Sequence, residues 1–248
     1  MQNEIELEQR FAGLRAAVTG GTSGLGLALV RALRARGAQV AFVARGRERV
    51  EEVAAATGAL GIVGDVADKD AIHRIALQIG GGLGGLDLLV NNASALGPVP
   101  LALLADTGCE ALEQVLATNL LGPFRLAKAL LGALAASARE GRGAVMLNIS
   151  SDAALNPYPR WGAYGAGKAA LHHLSRIWAE ELKEEGVRVL SLDPGDMDTP
   201  LHRLAVPDAD PANLKRPDDA ARELLDAVAR ALPLRRTAVA VRSPTFAF

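Results

Sequence analysis

The sequence predicts an α/β fold, one doubly wound domain in which a parallel, seven-stranded sheet carries helices on both faces. Two observations predict it. Short, nearly all-apolar runs alternate with segments whose apolar residues recur at helical spacing, as expected of strands buried on both sides and the helices that cover them. The 248 residues, 50% of them hydrophobic, suffice for one large core, and no Ser-rich or Pro-rich linker divides them.

Arg15–Thr19 is an apolar run that ends in glycines, and Leu25, Leu29, Ala32 and Leu33 then recur at helical intervals through Arg36. Gly37 offers a left-handed helix end, and Gln39–Ala44 follows as a strand, which completes a βαβ unit of about thirty residues. The alternation continues with helix 48–57, strand 60–64, helix 69–79, strand 86–90, a long helix over 109–136 and strand 144–149. A helix over 164–185, strand 187–192, helix 218–231 and a seventh strand near 238–241 complete the expected sheet. The glycine cluster 80–85 reads as the loop between a helix and a strand. Residues 1–12, polar and acidic, read as a flexible lead. The stretch 196–216 holds Pro200, Pro207 and Pro211 with little regular period, and a loop this long inside one domain reads as a substrate lid.

A net charge of -1, from 27 basic and 28 acidic residues, leaves no global field to attract nucleic acid or an anionic membrane. Cys109 is the single cysteine, which excludes an internal disulfide and a zinc site built on several thiolates and fits a reducing cytoplasm. The start lacks the apolar core of a signal peptide, and nowhere do about 18 uncharged apolar residues run together. A soluble, cytoplasmic protein is the expectation. His172 and His173, adjacent on a helix, point in different directions and read as core or interface residues, so no metal is expected.

Two constellations carry chemistry. The run Thr19-Gly20-Gly21-Thr22-Ser23-Gly24-Leu25-Gly26 follows a predicted strand and opens a predicted helix. Gly20, Gly24 and Gly26 allow a tight turn, close approach of the backbone to a pyrophosphate, and close contact of helix with sheet; the helix amino terminus adds free N–H groups and positive dipole. In that context the glycines point to a dinucleotide, although plain turn chemistry also uses them. In Tyr164-Gly165-Ala166-Gly167-Lys168, residues four apart share a helix face, so an ammonium stands near a phenol. A phenol's ordinary pKa of about 10 is too high for a base at neutral pH, and a nearby cation favours the ionised form. The bland alternative is a surface helix pair. Ser151 precedes this pair at the carboxyl end of the fifth predicted strand, the edge where open α/β sheets bind ligands.

With its Gly-x-x-x-Gly-x-Gly spacing, the chain resembles the short-chain dehydrogenase/reductase family from Thr19 to Thr199, with the motifs in the family's order. The resemblance implies a Rossmann domain that moves a hydride between a nicotinamide and a small-molecule carbonyl or alcohol, as a carbonyl or ketoacyl-type reductase does. It implies cofactor contacts by Gly20, Thr22, Ser23, Gly24, Leu25 and Gly26 in the glycine turn, and by Asp65 and Val66 at the adenine. Asn91 and Ala93 would bind it from the segment Asn91-Asn92-Ala93-Ser94, where a serine stands in place of the family's usual glycine. Pro194 and Gly195 would pass under the nicotinamide, with Thr199 on its carboxamide.

The implied catalytic residues are Asn119, whose backbone carbonyl would hold a water against the lysine, Ser151 in preference to Ser150, Tyr164 and Lys168. Tyr164 would exchange a proton with the substrate oxygen and Lys168 would also hold the nicotinamide ribose. Past the second strand, where an acidic residue would accept from ribose hydroxyls, the chain has Arg45 and then Arg47. An arginine can fork onto a 2′-phosphate, so NADP is expected over NAD, with NAD still possible and a solvated loop charge as the alternative. Tyr158 and Trp161 either line the substrate pocket or pack their loop down. Rival readings are a catalytically silent dinucleotide sensor or scaffold, which would usually lack the tyrosine or lysine, and a sugar-nucleotide epimerase or dehydratase, whose carboxyl-terminal region is larger. The family also implies a homo-oligomer, a tetramer or a dimer, assembled through the helices at 109–136 and 164–185.

Overall fold

Most interior strand positions are apolar because both faces of the sheet are covered. In the computed structural model, which describes residues 9–233, six parallel strands run β1 (Arg15–Thr19), β2 (Gln39–Ala44), β3 (Leu60–Val63), β4 (Leu88–Asn91), β5 (Ala144–Ile149) and β6 (Val187–Leu192). They lie side by side in the order β3-β2-β1-β4-β5-β6. Seven strands were expected; the described residues hold six in the sheet, and the last, near 238–241, lies outside the described residues.

Period-2 alternation splits the strand residues between two cores. Val18, Phe42, Val90 and Leu147 face α1 (Gly24–Ala35), α2 (Arg47–Thr57) and, through Leu224, Leu225 and Val228, α8 (Pro217–Ala231). Ala17, Val43, Leu89 and Met146 face α3 (Ile72–Leu83) and the long helix whose second part is α5 (Gly122–Arg139). Each large side chain fully buried this way contributes about 1.5–3 kcal/mol.

The long helix begins as α4 (Cys109–Leu116) and passes through a π turn at Ala117–Leu121 before α5. It buries Leu126, Leu130 and Leu134 against the sheet, so its apolar composition is that of a core helix. Helix α6 (Gly162–Glu181) starts two residues earlier than expected and stops short of 185.

Three further expectations change on folding. Helix α3 winds on through Gly80, Gly81 and Gly82, where a loop was expected, because Ile72, Ile75, Ile79 and Leu83 form one buried stripe and Leu83 reaches the core only at helical phase. Gly84, at φ 65°, ends it in the left-handed conformation. The stretch 196–216 is not irregular throughout: Thr199 caps a short helix, α7 (Pro200–Ala205), by accepting from the His202 N–H at 3.2 Å, and Met197 bridges to Lys215. Of the lead 1–12, residues 9–12 are described, and Phe11 there is buried in the core while Arg10 donates to the Ala229 carbonyl at 2.8 Å and to that of Leu232.

At the amino edge of the sheet, Asp87 is fully buried just before β4. It accepts from the Arg15 guanidinium at 2.6 Å, from Arg142 at 2.9 Å and from the Ser137 hydroxyl at 2.6 Å, tying β1, β4, α5 and the turn before β5 together. Burial alone would raise its carboxyl pKa, but the hydrogen bonds from Arg142, Arg15 and Ser137 outweigh it and hold the group well below the carboxylate range.

Candidate active site

The chain crosses the sheet between β3 and β4, so the loops after β1 and β4 part at the carboxyl edge and leave a crevice. That crevice is a cleft of about 820 Å³. Its floor is the glycine turn. Gly20 and Gly24 take φ of 71° and 48°, which favour glycine, and a Cβ on Gly26 would fall on the Gly20 carbonyl oxygen. Ser23, the residue before α1, makes no side-chain cap, which leaves the first N–H groups of α1 to an anion. Thr22, Ser23 and Leu25 line the same floor. Such a cradle fits a pyrophosphate.

At the outer end, Ala44, Arg45 and Arg49 line the wall on one side and Asp65 and Val66 on the other. Arg45 is exposed, and Arg49 donates to the Thr22 carbonyl at 3.3 Å. Arg49 escaped the sequence reading; it lies on the first turn of α2, while Arg45 precedes that helix. Asp65 accepts from the Ala67 N–H at 2.9 Å, which shapes its loop. Arg47 is not on the cleft wall; it pairs with Glu51 on the exposed face of α2.

Beyond β4 the expectation and the structure part. Asn91, named as a cofactor residue, is not brought to the cleft: it is buried as the last residue of β4, on the Leu89 side of the sheet, where its amide donates to Asn148 at 2.8 Å. Strand alternation turns it inward. Asn92 lines the cleft instead and donates to the Thr19 carbonyl at 2.8 Å, fastening the glycine turn to the end of β4. The Thr19 hydroxyl accepts from the Asn92 and Ala93 N–H groups, both at 3.0 Å. Ala93 and Ser94 are on the cleft wall as well.

Asn119 lies in the π turn, 1% exposed and behind the wall. Its amide clamps Ala95, accepting from that residue's N–H at 2.8 Å and donating to its carbonyl at 2.8 Å, and it also accepts from the Ser94 hydroxyl at 3.2 Å.

At the inner end, Ser151, Tyr164 and Lys168 share one wall, Ser151 just past β5 and the other two on the first turns of α6. The Ser151 hydroxyl accepts from the Ala153 N–H and donates to Asp152, both at 3.2 Å. Lys168 is fully enclosed, donates to the Ile149 carbonyl at 2.8 Å and stands 5.5 Å from the Tyr164 ring centre. Burial pushes its ammonium down to about 8, against a smaller upward pull from Asp193.

Tyr164 moves the other way. The sequence leads one to expect a phenol eased toward ionisation by its lysine, but burial pushes it up to about 12, with Asp193 and Asp152 adding to the rise and hydrogen bonds from Ser151 and Ser94 opposing it. Desolvation of a phenol that is 8% exposed outweighs a lysine whose own charge burial disfavours.

Pro194 and Gly195 line the cleft on the turn after β6, where Gly195 takes φ 78° and donates its N–H to Asp193 at 2.9 Å. Thr199 is there too, its hydroxyl occupied as the cap of α7. Trp161 does both things expected of it as alternatives. It lines the cleft and packs edge-on to Tyr164 at 5.6 Å between ring centres. Tyr158 lines the cleft with its hydroxyl donating to Asp152 at 2.7 Å. Leu96, Leu201 and Ala205 join Trp161 around Tyr164 in an apolar inner wall, with Leu201 and Ala205 coming from the stretch read as a lid.

A phosphate cradle at the switch point of a parallel sheet, opening onto a buried phenol and amine, defines a dinucleotide-binding oxidoreductase of Rossmann fold. The comparisons agree. A family model described as short chain dehydrogenase matches residues 15–210. L-fucose dehydrogenase of Mus musculus is 34% identical over 207 residues, covering 82% of this chain and 72% of that protein. A short chain dehydrogenase from Burkholderia cenocepacia J2315, solved in complex with NADP, has a TM-score of 0.78 at 28% identity and covers 88% of this chain and 91% of its own. A 3-ketoacyl-(acyl-carrier-protein) reductase from Brucella melitensis, complexed with NADH, has a TM-score of 0.81 at 26% identity, with 86% and 90% covered.

This chain belongs to the short-chain dehydrogenase/reductase family. As such it binds NAD(P) and acts on CH–OH and C=O groups.

Proposed function

We propose that the protein is an NADP(H)-dependent reductase of small carbonyl compounds, with Ser151, Tyr164 and Lys168 as its reacting and orienting groups. The observation that carries this reading is that those three side chains line the same cleft as the glycine cradle. The dinucleotide, when bound, supplies the hydride for reduction or accepts it in oxidation.

This chain's residues do the rest. The Ser151 hydroxyl turns from Asp152 to the substrate oxygen and polarises it. Tyr164, a protonated phenol at neutral pH, donates its proton to that oxygen as negative charge develops there. Lys168, titrating near 8, is a donor toward the nicotinamide ribose and can restore the proton. Asn119 acts by holding the wall at Ala95 in register. The apolar wall of Leu96, Trp161, Leu201 and Ala205 excludes water from the reacting atoms, and residues of 196–216 cover them as a lid. Gly20, Thr22, Ser23, Gly24, Leu25 and Gly26 hold the pyrophosphate, Asp65, Val66 and Ala93 the adenosine side, and Pro194, Gly195 and Thr199 the nicotinamide.

A panel of ketones, aldehydes, sugars and acyl thioesters, followed by loss of NADPH absorbance, tests the activity. Dinucleotide binding with no turnover across the panel would favour the silent sensor instead.

The preference for NADP rests on Arg45, exposed on the cleft wall where a 2′-phosphate would lie. Arg45→Asp is expected to lower the affinity for NADP about tenfold relative to NAD, since a charge-assisted hydrogen bond contributes about 1.5–3 kcal/mol and the new carboxylate repels phosphate. Titrating both dinucleotides into both proteins measures it; an unchanged ratio removes the argument. The protein's cytoplasmic placement suits a single reduced thiol. A homo-oligomer formed through α4–α5 and α6 suits their outer faces, where Leu121 and Ile177 are exposed beside the stacked rings of Phe124 and Trp178. Sedimentation at micromolar concentration should then return a dimer or tetramer, and a monomer would refute it.

A further inference from the structure

Charge is not spread evenly along the cleft. The arginines that line it, Arg45 and Arg49, stand at its outer end, where a phosphate is expected. At the inner end the exposed charges are the carboxylates of Asp152, Asp193 and Asp196, while Lys168 is buried. Asp196 lies 3.8 Å from the His202 ring, but Asp152 has no basic partner among the described residues. A ligand that enters here meets negative charge.

Asp152 is fixed beside the reacting groups. Tyr158 donates its hydroxyl to one carboxylate oxygen at 2.7 Å, and Ser151 donates to the other at 3.2 Å. Each oxygen keeps a free lone pair. A substrate oxygen hydrogen-bonded to Ser151 therefore lies within about two hydrogen-bond lengths of Asp152, close enough for a group on the carbon next to the carbonyl to reach the carboxylate. A serine hydroxyl has one proton, and here the carboxylate accepts it. Before Ser151 can polarise a substrate, that proton has to turn away from a charged acceptor, and a neutral substrate offers the carboxylate little in exchange.

We propose that Asp152 is a specificity-determining residue and that the substrate is an amino ketone, its protonated amine one or two carbons from the carbonyl and hydrogen-bonded to Asp152. This rests on the reading of Ser151 as the group that polarises the substrate oxygen. The ammonium gives the carboxylate new donors in place of the Ser151 proton, which is then free to turn to the carbonyl. The aromatic faces of Tyr158 and Trp161, on the loop that follows Asp152 along the same wall, attract the same cation. Beyond burial, Asp193 and Asp152 raise the Tyr164 pKa, and a cation beside Asp152 offsets that pull and eases donation of the phenolic proton. Reduction turns the amino ketone into the amino alcohol, with hydride to the carbonyl carbon and the Tyr164 proton to its oxygen.

Three small methyl ketones test it: aminoacetone, hydroxyacetone and acetoacetate, respectively a cation, a neutral molecule and an anion. Aminoacetone should show a kcat/KM about tenfold above that of hydroxyacetone, with part of the gain in kcat, and acetoacetate should fall about tenfold or more below it. Calorimetric titration of the same three into the protein with NADP bound, where no reduction follows, should return the same order of affinity. Asp152→Asn keeps the shape and removes the charge. In that protein the advantage of aminoacetone should shrink to about twofold, and turnover of hydroxyacetone should rise severalfold as Ser151 is released.

Equal use and equal binding of the three ketones, binding of none of them, or an order unchanged in Asp152→Asn overturns the proposal. If the asparagine protein fails to fold, Asp152→Ala is read by the same criteria. A preference for the ammonium in the calorimeter, with no carbonyl compound of any charge reduced, supports recognition by Asp152 and overturns the underlying reading of the reaction, which separates the two failures.

Discussion

Tyr164→Phe is expected to lower kcat by about two to four orders of magnitude, the usual contribution of a positioned general acid or base. Dinucleotide affinity should change little. The substitution removes one oxygen and leaves the ring, so the edge contact with Trp161 and the apolar inner wall persist. The glycine cradle, built on β1 and α1, is untouched. Remaining donors near the substrate oxygen are Ser151, a weaker acid, and water, which the apolar wall keeps out. Single-turnover reduction by NADPH, with the dinucleotide titrated separately, distinguishes lost chemistry from lost binding. A kcat within a few-fold of the parent would remove Tyr164 from the reaction.

The same buried pair shapes the alkaline stability of the protein. Lys168, at about 8 when folded, sheds its proton more readily there than in the unfolded chain, so its burial costs stability below that pH and the cost fades as pH rises toward the ordinary lysine value. Tyr164, at about 12, opposes this above the ordinary tyrosine value, where the unfolded chain ionises first and stability falls.

Asp87→Ala is expected to cost about 3–5 kcal/mol of stability, as removal of one partner from a buried ion pair does. The guanidinium of Arg15 and the Ser137 hydroxyl lose the acceptor that brought them under the sheet, and Arg142 loses its link to β4. Urea unfolding measures the loss, and a cost under about 1 kcal/mol would reduce the brace to the rank of a surface ion pair.

The pH dependence carries a sign. Because the folded carboxyl titrates below the unfolded one, its stabilisation is fully present above the ordinary aspartate range and is lost as pH falls through it toward the folded value. The gap between parent and variant should therefore narrow in acid. Dinucleotide binding should survive wherever the variant is folded, since the brace lies at the amino edge of the sheet and the cleft at the carboxyl edge.

Residues whose role depends on neighbours along the chain were legible without coordinates. The run around β1 and α1 is one: strand, glycine turn and helix follow directly in sequence, and the backbone freedom of Gly20 and Gly24 is a local property. Tyr164 and Lys168 are another, because four residues of helix place them on one face whatever the rest of the protein does. The place of Asn91 off the cleft was not legible, for a comparably simple reason. Two adjacent asparagines at a strand end point to opposite faces, and only the burial of Leu89 on the same side as Asn91 tells which one the cleft receives.

Helix α3 shows the limit from the other side. Its glycine run has low helix propensity and read as a loop, yet the helix continues because Leu83 must complete a buried stripe that begins at Ile72.

The sequence by itself determined the α/β alternation, the glycine turn that opens α1 and the shared helix face of Tyr164 and Lys168, since all three are written in spacings of a few residues. Tertiary structure alone decided the protonation of Tyr164 and Lys168, the link from Ser94 to Asn119, and the closing of Leu201 and Ala205 over the tyrosine. Desolvation and side-chain contact depend on which distant segments meet, and that is a property of the packed sheet and not of any stretch of chain.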